Sequence, residues 1–432
     1  MGKRKAIRTE YLIIGNSAGG IGAAEAIREV DRKGSITIVT DEPYQAYSRP
    51  LISKYLTGER NLDEMLFRPV DFYNSNSIEL VVGEKVRRLN LNNQTARLEN
   101  GEQITWEKLL LATGGIPIVP EMKGGDKNGI FTFLTIQDAI AIDEFIKEGF
   151  HAVVIGGGLI GISATEALVK RGIRVTIVEM KDRILNTILD ETASSIAEET
   201  LRQAGVTVVT NRTVAEVIGD KQTEGVILDS GEKIPCDLVV MAIGVLPRVE
   251  LTTDTDIKVN RGIVVNRFMS TSHANVYACG DVAEAYDFVY GTNRVTPIWP
   301  NAYIGGRVAG YNMAGSKTEY PGSTAMNSLN YFGLDITTAG AVTPPPDKGW
   351  EVISQRNDGV YKKVNLSGDL VMGMVFVGDI EKSGMIFSLM KDRVNVANFK
   401  QSLLADNFGL AYLPREVWQE RLGHAPTPVN SR

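Results

Sequence analysis

Two glycine-rich hexads carry most of the chemistry that can be read along this chain. The first is Gly15-Asn16-Ser17-Ala18-Gly19-Gly20 and the second Gly156-Gly157-Gly158-Leu159-Ile160-Gly161, 141 residues further on. Each follows an apolar run suited to a strand (YLII, AVVI) and opens an alanine-rich run suited to a helix. The next apolar run then ends on acid: Asp41 and Glu42 after ITIVT, Glu179 after VTIV. A dinucleotide makes these demands. The first glycine of the pattern makes the tight turn, the second lets the backbone approach a pyrophosphate, the third lets helix and strand pack, and the acid takes ribose hydroxyls. One such pattern is a weak signal; two in matching strand-turn-helix contexts are a strong one. Ser17 stands where the second glycine is expected in the first copy, and its hydroxymethyl can fit there and donate a hydrogen bond.

These residues need two βαβ units to hold them. Between the copies, Ile78 to Gly115 reads as short alternating strands ending in Ala112-Thr113-Gly114-Gly115, and a matching run, Leu238 to Gly244, closes the second unit. Both ends read as exits between domains. Val276 to Asp281 is an apolar strand that delivers one carboxylate, followed by a helical segment from about Asn301 to Asn312. After Gly315 the pattern changes to alternating strands (YKKVNL, LVMGMVFVG) and two short helices, an α+β domain in which Pro344-Pro345-Pro346-Asp347 makes a rigid loop. The fold class is therefore α/β: two Rossmann-like dinucleotide-binding domains plus a C-terminal α+β domain. A chain of 432 residues suits about three domains.

Composition excludes several classes. With 46 Lys+Arg against 52 Asp+Glu the formal charge is −6, and nucleic acid is not an expected partner. No apolar stretch approaches the roughly 20 residues of a membrane helix. The start, MGKRKAIRTE, runs straight into a strand, which reads as cytoplasmic. Cys236 and Cys279 lie singly in apolar runs and read as buried thiols, so neither a disulfide framework nor a metal cluster is expected. His151, His273 and His424 suggest no acid–base dyad.

Taken with the segment Tyr47-Ser48-Arg49-Pro50-Leu51-Ile52-Ser53-Lys54 after Asp41-Glu42-Pro43, with Ala278 to Asp281, and with Trp299-Pro300-Asn301-Ala302, the sequence resembles the pyridine-nucleotide-dependent flavoprotein reductases of the glutathione-reductase fold. Within them it resembles ferredoxin and rubredoxin reductases and the flavin part of nitrite reductases. The resemblance implies a discontinuous FAD domain (9–117 and 246–315), an NAD(P)H domain (118–245) and a C-terminal domain (316–432). It implies that Gly15, Ser17, Ala18, Gly19, Gly20, Asp41, Glu42, Arg49, Lys54, Ala112, Thr113, Gly114, Gly280, Asp281 and Ala302 face FAD. Gly156, Gly158, Leu159, Ile160, Gly161, Glu179 and Gly244 would face NADH, with NADPH less favoured because Glu179 would repel a 2′-phosphate. Lys181 and Arg183 are the counterweight to that preference. Asp281 would accept from the ribityl chain. Arg49 and Lys54 would lie beside the isoalloxazine, where the Lys54 ammonium favours an anionic reduced ring, and Trp299 would lie on the electron path.

Two positions depart from that family's pattern. Ser163 stands where relatives usually carry a glutamate that pairs with the flavin-proximal lysine, and Leu134 stands where they often carry arginine. Relatives that act on disulfides or peroxide have a cysteine pair or a single cysteine near the flavin; this chain has neither, so it cannot store electrons on sulphur. The expected function is an NADH-dependent FAD reductase passing electrons to a separate iron–sulphur or rubredoxin-like protein. The alternatives are an NADH oxidase using oxygen and a slow-turnover flavin redox sensor or interaction subunit. Homo-oligomerisation stays open.

Overall fold

The computed structural model describes residues 7–346 and 349–413. The basic start, Asp347 of the triple-proline loop and His424 lie outside them. By packing, the chain divides into two compact units, one of Met1–Leu185 with Leu201–Ala325 and one of Asn186–Thr200 with Met326–Arg432. Among the described residues no helix is long and apolar enough to cross a membrane.

The first unit contains two large sheets, the first parallel except for strands 95–98 and 86–90, which pair antiparallel, and the second parallel throughout. In one, strands 78–81, 36–39, 7–14, 103–111, 95–98 and 86–90 lie in that order, and 276–278 pairs with 103–111. Strand 36–39 (ITIV) and the C-terminal ends of strands 7–14 (YLII) and 103–111 (LLL) are buried throughout, as a sheet covered on both faces requires. Register decides the function of this sheet. Ile14 is level with Val39 on one side and Leu111 on the other, and Leu111 is level with Ala278. All four strands therefore end on one line, and the turns that leave them open at a single edge.

The second sheet repeats the scheme with five parallel strands in the order 207–209, 174–178, 151–155, 238–241 and 130–132. Ile155 is level with Val178 and with Met241, and Met241 with Thr132. A two-stranded ribbon, Gly115–Pro117 with Val245–Pro247, joins the two halves of the unit.

Helix α1 (Ala18–Val30) follows the first glycine turn. The short helices α2 (Ile52–Leu56) and α3 (Phe72–Ser75) lie in the long connection after the second strand. Helix α4 (Ile136–Phe145) is started by a capping box in which the Thr135 hydroxyl accepts from the Asp138 N–H and the Asp138 carboxylate accepts from the Thr135 N–H. Helix α5 (Leu159–Lys170) follows the second glycine turn, α6 is Glu191–Gln203, and α7 (Trp299–Met313) lies against α1.

The second unit is built on a five-stranded antiparallel sheet in the order 326–331, 334–340, 370–377, 360–367 and 351–357, with α8 (Ser383–Lys391) beside it. Strand 360–367 buries Lys362 and Lys363. Each is paired, Lys362 with Asp379 and Lys363 with Asp190, the residue just before α6.

Candidate functional site

The site is built first from glycines that have no room for a side chain. A Cβ on Gly15, whose φ is +118°, would stand 2.0 Å from the Ala112 carbonyl oxygen, and one on Gly20 would stand 2.0 Å from that of Gly15. One on Gly19 would stand 2.8 Å from the Cys279 sulphur. The turn is thereby pressed against the ends of two neighbouring strands, and the N–H groups that open α1 face the line where all four strands end. Ser17 is the N-cap of α1, yet its hydroxyl makes no capping hydrogen bond and is left for something else. In the second turn a Cβ on Gly158, the equivalent position, would meet no atom within 4 Å. A side chain at this point of the motif therefore fits, as the sequence reading of Ser17 requires.

Neither acid after the second strand stands alone. Asp41 pairs with Arg248 at 2.7 Å, and Arg248 also takes the Thr113 hydroxyl on its carbonyl at 2.8 Å while its N–H donates to Gly114 at 2.9 Å. Glu42 accepts from the Tyr47 hydroxyl at 2.6 Å and pairs closely with Arg49. Tyr47 in turn accepts from the Ile136 N–H at 3.0 Å. Arg49 also reaches the Leu134 carbonyl at 3.5 Å, so this departure from the family pattern contributes a backbone oxygen rather than a second cation. Burial pushes the Arg49 guanidinium down, but the charges of Glu42, Tyr47, Asp281 and Asp41 outweigh it and hold it above its ordinary value.

Asp281 lies in a single helical turn, Gly280–Val282, at the end of strand 276–278. Gly280 has φ +75°, and a Cβ there would be 3.4 Å from that of Ala302 on α7. The Asp281 side chain has no hydrogen-bond partner among the described residues. Burial pushes its carboxyl up, and the nearby Arg49 charge opposes that shift. Trp299 opens α7 half-buried, with its ring edge-to-face against Phe67 at 5.3 Å and 81°. Lys54 on α2 pairs with Glu59 at 2.9 Å.

The second cradle is dominated by Glu179, only 8% exposed. One carboxylate oxygen accepts from the Gly157 N–H at 2.7 Å and the other from the Lys181 N–H at 2.8 Å. Each oxygen keeps a lone pair for a ribose hydroxyl. Gly161 packs as Gly20 does, with a Cβ 2.0 Å from the Gly156 carbonyl oxygen, and Gly244 leaves strand 238–241 at φ +126°. Leu159 and Ile160 open α5 above this edge. Arg183 directs its guanidinium at both oxygens of Asp182, at 2.9 Å each.

Three side chains of this region carry no role in the sequence reading. Tyr47 and Arg248 hold the acids in place, and Glu59 holds Lys54. Their partners are far apart in the chain or on an unpatterned loop, so no spacing signals them. Among the described residues no group of His, Cys, Asp and Glu could hold a metal ion. Cys236 and Cys279 are unpaired and buried, and burial pushes both thiols up to about 12.

Two glycine turns of this construction in one compact unit are the arrangement a dinucleotide-dependent oxidoreductase requires. The chain belongs to the pyridine nucleotide-disulphide oxidoreductase family, whose model matches residues 9–306, and residues 326–394 match the rubredoxin NAD+ reductase C-terminal domain. It is 31% identical over 399 residues to a nitrite reductase (NAD(P)H) of Bacillus subtilis strain 168, covering 92% of this chain and 48% of that protein. It is also 31% identical over 403 residues to the NADH-dependent phenylglyoxylate dehydrogenase subunit epsilon of Aromatoleum evansii, covering 92% and 95%. The solved covalent putidaredoxin reductase–putidaredoxin complex contains a chain that matches with a TM-score of 0.83 at 25% identity, over 90% of this chain and 94% of that one. The chain spans about half the length of some of the curated relatives it matches.

Members of the family use FAD and NADH. The residues present fit both: two glycine cradles that a Cβ would fill, a free Ser17 hydroxyl and a carboxylate at Asp281 without a partner. Cys236 and Cys279 are both unpaired, so the disulphide of the family's name is not formed between them.

Proposed function

We propose that this protein is an NADH-dependent FAD reductase that delivers electrons to a separate one-electron carrier of the iron–sulphur or rubredoxin type. The observation that carries this reading is the combination of two dinucleotide cradles in one unit with two cysteines that are buried and unpaired. Electrons taken from NADH have no thiol relay within the described chain and must leave it. Bound FAD supplies the conversion between a two-electron hydride donor and a one-electron acceptor.

In this reading residues 9–117 and 246–315 hold FAD and 118–245 hold NADH. The α1 N–H groups and Ser17 take the pyrophosphate, Asp281 takes a ribityl hydroxyl, and Lys54 supplies positive charge beside the ring. Glu179 takes the nicotinamide nucleotide's adenosine ribose. Support for a protein acceptor comes from the putidaredoxin complex and from the rubredoxin reductase C-terminal domain match. A cytoplasmic location goes with the same reading, supported by the two free thiols and by dependence on NADH.

The test is steady-state turnover with NADH. Turnover should be slow with oxygen alone and much faster with an added iron–sulphur protein or ferricyanide. Oxygen turnover as fast as that with any carrier would establish an oxidase instead. Stopped-flow bleaching of the flavin by NADH that is slow under every condition would establish a sensor or interaction subunit.

A further inference from the structure

The lysine that this reading assigns to the flavin is held by a residue outside every motif. Helix α2 ends at Leu56, and Gly58 at φ +75° lets the chain reverse, as glycines after helix ends do. The Thr57 hydroxyl and the Arg60 N–H then donate back to the Lys54 carbonyl at 3.0 and 3.1 Å. This reversal brings Glu59 alongside Lys54, and the Lys54 ammonium meets one Glu59 oxygen at 2.9 Å. The other oxygen accepts from Lys170, at the end of α5, at 3.3 Å, and Lys170 also pairs with Glu166 one turn back at 3.3 Å. Arg171 completes the join, donating to the Leu56 carbonyl at 2.7 Å and pairing with Asp143 on α4.

Lys54 and Glu59 are 38% and 44% exposed, so their attraction adds little to stability. What the pair does is choose a direction. A lysine side chain samples many rotamers, and among the described residues Glu59 is the only carboxylate paired with this one. Glu59 is itself fixed as an anion: donation from Lys54, ahead of that from Lys170, pulls its carboxyl down to about 2. On α5, Ser163 offers no carboxylate, and Glu166 is engaged by Lys170 instead.

We propose that Glu59 is the positioning residue of Lys54, holding the ammonium where the bound flavin uses it and tying that position, through Lys170, to α5 in the nicotinamide half. This rests on the reading that Lys54 serves the flavin, and the experiment separates the two claims. The FAD-loaded full chain is compared with Glu59→Gln, Glu59→Asp and Lys54→Met, reading the midpoint potential of the bound flavin and its anaerobic reduction by NADH. Glu59→Gln should keep its FAD and its KM for NADH within about twofold. Its reduction rate should fall about tenfold, and its potential should move down, in the same direction as Lys54→Met and by less. Glu59→Asp should recover part of both. A Glu59→Gln potential that stays put while Lys54→Met moves it overturns the role of Glu59 alone. A potential that rises shows Glu59 screening the lysine rather than positioning it, and overturns the proposal, as does loss of FAD from Glu59→Gln. No change in Lys54→Met overturns both claims.

Discussion

Gly306 on α7 lies so close to Gly19 on α1 that a Cβ on Gly306 would stand 2.0 Å from the Gly19 carbonyl oxygen. Backbone meets backbone at this crossing, and Gly310 against Ala23 repeats the contact one turn on at 2.3 Å. The contact ties the helix that opens on the first cradle to the helix that carries Trp299 and Ala302. Gly306→Ala should cost about 3 kcal/mol, because neither helix can yield without moving the glycine turn. Denaturant midpoints and FAD content should fall together. Gly384→Ala on α8, where a Cβ meets nothing within 4 Å, should instead be neutral or gain up to about 1 kcal/mol. Equal melts for the two variants would refute the packing argument.

The two cradles were legible because strand, glycine turn, helix and acid occur in a fixed local order. The level ends at Ile14, Val39, Leu111 and Ala278 were legible in outline too, since each closes an apolar run just before a glycine or an acid. What could not be read is who holds whom across the chain. Arg248 reaches Asp41 over 207 residues, and Glu42 is shared by Tyr47 and Arg49 on a connection with no periodicity. Nor does the sequence show that residues 186–200 pack with the second unit. A buried lysine such as Lys363 reads in sequence as an exposed one until its partner Asp190 is known.

Asp281 gives a prediction with two opposite signs. Its half-buried carboxylate makes no hydrogen bond among the described residues, so Asp281→Asn should stabilise the FAD-free protein by up to about 1 kcal/mol. The same change removes a charged acceptor from the ribityl chain and should weaken FAD binding about 10–100-fold. The pH dependence follows from burial. A carboxyl raised in the folded state makes the FAD-free protein less stable as pH climbs through that raised range, and Asp281→Asn should flatten this slope. Thermal melts across pH and FAD titration check all three. A variant less stable without FAD would show that the carboxylate is only structural.

Cys236 and Cys279 should both be inert in the native protein. Burial leaves the two thiols almost wholly protonated at neutral pH, and the thiolate is the reactive form. Thiol titration should find no reactive cysteine in the folded chain and two after denaturation. Replacing both by serine or alanine should leave NADH turnover with ferricyanide within about twofold. Loss of that turnover with FAD still bound would mean that a cysteine does relay electrons.

Glu179 should set the choice of nicotinamide nucleotide. Its two oxygens are fixed by the Gly157 and Lys181 N–H groups at the strand end, where a 2′-phosphate would bring a second negative charge. Glu179→Gln should raise the NADPH-to-NADH ratio of kcat/KM about tenfold, equivalent to about 1.4 kcal/mol. The new amide must also turn an NH2 toward one of those N–H groups, so a stability loss of about 1–2 kcal/mol should accompany it. An unchanged ratio in a folded variant would remove Glu179 from nucleotide selection.

The second unit should loosen in acid through Asp190. Burial pushes this carboxyl up, but donation from Lys363 and from the Ala193 N–H, aided by Lys363's charge and the Tyr361 hydroxyl, outweighs it and leaves the group below its ordinary value. A carboxylate lowered on folding stabilises fully above its unfolded value, near 3.9, and that contribution is lost as pH falls through the lower folded one. Lys363 is only 6% exposed, so Asp190→Asn leaves an ammonium buried without its counter-charge. The cost should be about 3 kcal/mol, whereas Asp190→Leu with Lys363→Met, which removes both charges, should come close to wild type. Limited proteolysis of strands 360–367 and 370–377 in the full chain, followed from neutral pH into acid, reads the effect directly. If the single and double variants open alike, the Asp190–Lys363 pair is not what holds this sheet to residues 186–200.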